Sequence, residues 1–195
     1  VTNGMSQYSR NERNANAAIV VGITPADFPS DDPLAGIALQ EDLEARAFVL
    51  GGGNYDAPAQ LVGDFLANRA STQLGEVIPS YRPGVRLTNL AGLLPDYATA
   101  AIREAMPAFG RQIPGFAAAD AVFTAVETRT SSPLRIRRVR DTLESINTPG
   151  LYPAGEGAGY AGGIYSAGID GIEIAEAVAR SLVAAHARRS GRQDL

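Results

Sequence analysis

The sequence has no cysteine, no tryptophan and no lysine, and its 195 residues include one histidine. Without Cys there is no disulfide scaffold, no thiolate nucleophile, no iron–sulfur cluster and no Cys-based zinc site in this chain. Without Lys there is no Schiff base and no Walker A loop, whose Lys must reach the phosphates. A single His excludes a multi-histidine metal centre, and no metal site is expected. Long apolar runs are missing too. The longest clean stretch, Ala17 to Ile23, is far short of the about 20 residues a spanning helix needs, and residues 1–16 are too polar for a signal peptide. We therefore expect no membrane partner and a cytoplasmic protein. Chemistry has to rest on carboxylates, Arg, hydroxyls, backbone amides or a bound cofactor. The net charge of -4 argues against a nucleic-acid partner. What is present, 45% apolar residues, is enough for a sizeable core in one compact domain or two small ones. The chain starts at Val1 instead of Met, which raises the expectation of an excised domain.

Along the chain, the apolar spacing predicts a short strand over 17–24 and helices over 37–50, 58–67, 97–109 and about 163–188. Strands are expected at 122–128, 134–139 and 151–154. Gly51, Gly52 and Gly53 mark the end of the first helix. Residues 68–95, rich in Gly and Pro, read as loop with short strands. The composition shifts near residue 125, where we place a domain boundary.

The most informative segment is Gly150 to Gly163, GLYPAGEGAGYAGG. A strand, a glycine turn and a helix follow one another, and Gly157, Gly159 and Gly162 satisfy G-x-G-x-x-G. A self-contained dinucleotide fold also needs a second parallel strand with an acidic residue after the helix, and none follows here. The physical content remains: glycines let a ligand approach the backbone, and a helix start favours an electron-rich group. The same glycines could instead serve tight strand–helix packing. Glu156, in the mouth of the turn, suits either hydrogen bonds from sugar-like hydroxyls or a cap on the helix.

The stretch ETRTSSPLRI (Glu127 to Ile136) and the stretch ESINTPGLYPAGEGAGYAGGIYSAGIDGIEIAEAVA (Glu144 to Ala179) resemble the C-terminal end of a family of uncharacterised bacterial FAD-dependent dehydrogenases. These are relatives of the glutathione-reductase-like two-domain flavoproteins. VTNGMSQYSRNERNANAAIVV, PLAGIALQEDLEARAF, GGGNYDAPAQLVGDFL and PSYRPGV are similar to that family's middle region. The resemblance implies an α/β (mixed α+β) chain. Residues 1–125 would be an inserted substrate or cap domain, and residues 126–195 the C-terminal strands and helix of an incomplete Rossmann-like FAD/NAD(P)-binding domain. It further implies an oxidoreductase when full length, with this chain inactive alone. FAD would be held jointly with a missing N-terminal FAD-binding segment and be absent from this chain by itself.

By the same resemblance, Gly155 and Glu156 match the turn that brings a carboxylate to the ribityl chain, where many relatives carry Asp. Gly157 belongs to the same turn. Gly162, Gly163 and Ile164 match the helix start that faces flavin N1 and O2. The loop Arg129, Thr130, Ser131 and Ser132 would lie near the cofactor. The loop-borne cluster Asn3, Met5, Ser6, Arg10 and Asn16 suits contact with a small-molecule substrate, though turn chemistry accounts for such residues equally well. Arg135, Arg137, Arg138 and Arg140 read as a charge-protected edge strand rather than an anion site. Arg180, Arg188, Arg189 and Arg192 suit a helix C-terminus. His186 reads as packed or capping, and Tyr160 and Tyr165 as cleft or packing residues. The rival function is a non-enzymatic binding or assembly module that has kept a flavoprotein-like tail. A Ser hydrolase lacks its G-x-S-x-G elbow. The apolar face from Ile172 to Leu182 leads us to expect a homo-oligomer.

Overall fold

A computed structural model gives residues 1–5 and 7–190; Ser6 and residues 191–195, Arg192 among them, lie outside the described residues, as does the Arg189 side chain. Among the described residues the fold is mixed α/β with one three-stranded sheet. The chain divides into two compact units, Val1–Thr128 and Arg129–Leu195.

In the first unit, α1 (Ala35–Leu50) buries Ala35, Gly36, Leu43 and Ala47, so the three- and four-residue spacing read from the sequence forms the inward stripe. The helix stops where expected. The Gly51 amide donates to the Ala47 carbonyl, and Gly52 and Gly53 then take φ of 105° and 73°. α3 (Asp96–Gln112) buries Ala98, Thr99, Ile102 and Met106, and it contains Pro107 in its last turns. There the ring removes a single helical hydrogen bond without ending the helix.

The segment expected to be a helix over 58–67 is instead β1 (Ala57–Leu61) followed by α2 (Val62–Leu66). β1 is the central strand. It pairs in parallel with β2 (Val85–Leu87) and antiparallel with β3 (Val122–Thr124), in the order β2-β1-β3. Its residues are small or satisfied. Ala57 and Ala59 are buried, and Gln60 is fully buried with both ends of its amide used. Its Oε1 accepts the Leu90 N–H at 2.9 Å, and its Nε2 donates to the Arg69 carbonyl at 2.7 Å. An unpaired amide at that depth would cost about 1–3 kcal/mol. The strand expected over 122–128 is real but shorter, since β3 ends at Thr124.

The strand expected over 17–24 is not formed; a 3-10 turn, Pro25–Asp27, follows an irregular segment. Its apolar residues still work as core. Ile19 and Val21 pack on the cluster of Val62, Phe65, Ile102 and Met106. Phe65 meets Phe123 edge-on at 5.1 Å between ring centroids. Burying a side chain of this size contributes about 1.5–3 kcal/mol. A second cluster joins Ala47, Leu90, Leu93 and Val126.

The second unit departs further from expectation. Neither 134–139 nor 151–154 is a strand; a lone antiparallel bridge pairs Arg138 with Ser145. The backbone bonds here scatter among neighbours: Ile136 donates to Ala158, Val139 to Glu144, and Ser145 to Leu151. A strand is a property of a ladder, and these segments have no adjacent strand to continue one. The long final helix is present as α4 (Ile164–Ser190). Asp170 and Ile174, one turn apart, are its buried residues. Ile164, Tyr165, Ile169, Ile172, Leu182 and Val183 are exposed along it. His186 is exposed as well, not packed. No helix among the described residues is long and apolar enough to cross a membrane.

Candidate functional site

The glycine-rich segment is a compact turn leading into α4. Gly155 adopts φ 68° and Gly159 φ 81°, conformations that L side chains rarely take. The Gly159 N–H donates to the Glu156 carbonyl at 2.9 Å, and the Tyr160 N–H to the Gly155 carbonyl at 3.0 Å. These two bonds close the loop on itself.

The glycines divide by what surrounds them. A Cβ on Gly159 would overlap the Leu134 carbonyl oxygen and lie 3.0 Å from the Arg135 Cα, so this glycine exists for packing. A Cβ on Gly157 or Gly162 would meet nothing within 4 Å. The turn therefore has one packed side and one open side.

Side chains from three parts of the unit hold the packed side. Arg138 and Asp170 form a bidentate ion pair, Nη2 to Oδ1 at 2.5 Å and Nη1 to Oδ2 at 3.1 Å. Both side chains are almost fully buried, at 9% and 8% exposure. Arg138 Nη1 also donates to the Pro153 carbonyl at 2.8 Å, and the Gly155 N–H donates to Asp170 Oδ2 at 2.7 Å. The Tyr160 ring stacks on the Arg138 guanidinium at 3.7 Å, and its hydroxyl accepts the Arg138 backbone N–H at 3.2 Å. Arg135 Nε donates to the Gly159 carbonyl at 2.9 Å. The Arg138 hydrogen bond holds the Asp170 carboxyl below its ordinary pKa, with the Gly155 amide acting in the same direction and burial opposing both. The same contact raises Arg138. Arg135 and Arg138 thus serve the turn, and do not form the charged edge of a strand.

The open side carries the residues singled out from the sequence. Glu156 is half-buried, and its carboxylate has no partner among the described residues, so it does not cap α4. The first helical bond runs from the Ala167 N–H to the Gly163 carbonyl. The amides of Ile164, Tyr165 and Ser166 thus precede any acceptor within the helix. Ile164 and Tyr165 are exposed. Thr130 and Ser131 are exposed in the loop that Arg129 begins. The residue tying that loop to the turn is Ser132, whose Oγ contacts the Gly157 carbonyl at 3.2 Å and the Leu134 carbonyl at 2.9 Å.

In the first unit, Asn16 Nδ2 donates to the Met5 carbonyl at 3.0 Å, which brings two members of the N-terminal cluster together. Asn3 is exposed and Arg10, at φ 51°, sits in its own turn; Ser6 lies outside the described residues. This unit also bears an open groove of about 600 Å³, walled by Val49, Leu50 and Leu93 with Arg46 and Arg86 among its lining. Among the described residues no cluster of His, Cys, Asp or Glu could hold a metal ion.

Sequence reasoning missed Asp170. It stands inside a helix between apolar neighbours, and no local pattern marks a carboxylate whose partner lies 32 residues earlier.

An uncharacterised protein of Clostridium beijerinckii is 54% identical over 176 residues, which cover 90% of this chain. The chain spans 33% of that protein's length. The family described as FAD-dependent protein, C-terminal domain-like, matches residues 1–130, and the chain belongs to that family.

Proposed function

We propose that the chain is part of a flavin-dependent oxidoreductase, in which residues 126–195 help to hold FAD and residues 1–125 form a cap that shapes the substrate pocket. The observation that carries this reading is the open side of the 155–163 turn, in a chain that belongs to an FAD-dependent family. The Glu156 carboxylate and the first amides of α4 have no partner there among the described residues, and the backbone at Gly157 and Gly162 is uncrowded. That donor and acceptor set suits a flavin. A carboxylate accepts hydrogen bonds from a hydroxylated chain, and helix-start amides favour the electron-rich edge of a ring. A bare backbone admits close approach.

When bound, FAD supplies the electron and hydride chemistry. The protein's share is position and electrostatics: Glu156 orients the ribityl hydroxyls, and the amides of Gly163 and Ile164 face accumulating negative charge. Thr130 and Ser131 offer hydroxyls from a neighbouring loop. The N-terminal cluster Asn3, Met5, Arg10 and Asn16, together with the groove of the first unit, offers the substrate surface. The ADP half of the cofactor would be held by a part of the longer protein outside this sequence. That reading is supported by a much longer relative, of which the chain spans 33%.

The test is optical. The full-length protein should purify with a flavin absorption band and release FAD on denaturation, whereas the 195-residue chain alone should carry no stoichiometric flavin. A colourless full-length protein that takes up no added FAD overturns the proposal.

A further inference from the structure

We infer that Asp170 is the positioning residue of the glycine turn: through the Gly155 N–H and the Arg138 guanidinium it fixes where Glu156 and the first amides of α4 stand. The inference rests on the flavin reading above and adds to it residues that the ligand itself does not touch.

The turn is pinned at its flanks and free at its tip. Pro153 is tied through its carbonyl to Arg138, Gly155 through its amide to Asp170, Gly159 through its carbonyl to Arg135, and Tyr160 through ring and hydroxyl to Arg138. Between these anchors the Glu156 side chain has no partner among the described residues. Asp170 is the hub because one carboxylate reaches both the turn backbone and the guanidinium that holds Pro153. It lies six residues into α4 from Ile164, so it also ties the turn to the body of the helix whose start faces the open side.

Stability alone does not account for the pair. A buried ion pair is commonly no better than well-packed apolar residues of the same volume, because both charges lose their hydration. What the pair adds is direction: the bidentate fork and the Gly155 bond fix orientation, as the supporting contacts of a binding site must.

The experiment uses the full-length protein. Asp170→Asn weakens the ion pair and keeps the shape. Because a buried unpaired Arg can unfold the unit, the decisive variant is Arg138→Met/Asp170→Leu, which removes both charges together. The double variant should fold and keep the far-UV signal of α4. Its Gly155 amide should exchange with solvent at least about tenfold faster, and its FAD dissociation constant should rise about tenfold or more. Glu156→Ala should then add little in the double background, because a misplaced Glu156 has nothing left to lose.

Unchanged FAD affinity beside fast Gly155 exchange would overturn the positioning role and leave the flavin reading standing. So would an effect of Glu156→Ala that adds in full to that of the double variant. A wild-type protein that binds no FAD would remove the flavin reading, and the positioning role with it.

Discussion

Gly159 lies against Leu134 so closely that its missing side chain is part of the contact: a Cβ there would run into the Leu134 carbonyl oxygen. Gly157 and Gly162, from the same G-x-G-x-x-G spacing, face open space. One sequence signature thus contains two physical roles, and substitution separates them. Gly159→Ala combines a positive φ with a clash and should destabilise the second unit by about 2–4 kcal/mol, read as a lower urea midpoint. Gly157→Ala and Gly162→Ala should leave that midpoint within about 0.5 kcal/mol. On the proposed function they should weaken FAD binding in the full-length protein, because the added methyl groups would fill the space proposed for the ligand.

Glu156 gives the complementary case. Its carboxylate supports nothing among the described residues, so Glu156→Ala should not change the stability of the chain. In the full-length protein it should weaken FAD by about 1.5–3 kcal/mol, the range for a hydrogen bond to a charged group. Glu156→Asp should lose less. Equilibrium dialysis measures both, and wild-type affinity in the Ala variant would remove Glu156 from the site.

Acid should loosen the second unit. Asp170 is held below its ordinary value of 3.8 by Arg138, and Tyr160 and Glu173 are the other titratable groups acting on that guanidinium. A carboxylate with a depressed folded-state pKa contributes stability that is complete above its unfolded pKa. The contribution is lost as the pH falls through the folded-state value. The near-UV signal of Tyr160, whose ring rests on Arg138, should therefore fade as the pH drops below 3.8. To isolate Tyr160, the titration is compared with that of Tyr160→Phe. In Asp170→Asn the step should be missing.

Gln60 tests the first unit. Gln60→Leu keeps the volume but removes the partners of the buried Leu90 N–H and of the part-buried Arg69 carbonyl. The expected loss is about 2–5 kcal/mol, from two unsatisfied groups. Chemical denaturation followed by tyrosine fluorescence would show it, and a loss under 1 kcal/mol would mean that water reaches the site.

The elements legible in the sequence are those whose information is local. α1 carries a three-to-four apolar spacing and a glycine stop, and α3 and α4 carry long periodic runs. β1 was illegible for a physical reason. Its central position demands small and self-satisfied residues, so it reads Ala-Pro-Ala-Gln-Leu without the β-branched residues that mark a strand, and α2 follows with no break. The glycine turn announced itself by composition. Its supports did not, because Arg138, Tyr160 and Asp170 meet only in the folded unit, and each alone is an ordinary surface residue type. Ser132 was legible as part of a polar loop, but only its contact with Gly157 distinguishes it from Ser131.

The buried pairing of Arg138 with Asp170 also constrains how this sequence can drift. A change at either position alone passes through a protein with one unpaired buried charge, a loss of about 3–5 kcal/mol. A whole domain has only about 5–15 kcal/mol of stability. Viable descendants would therefore keep both residues or exchange both together. Positions 138 and 170, though 32 residues apart, should then be inherited as a single character.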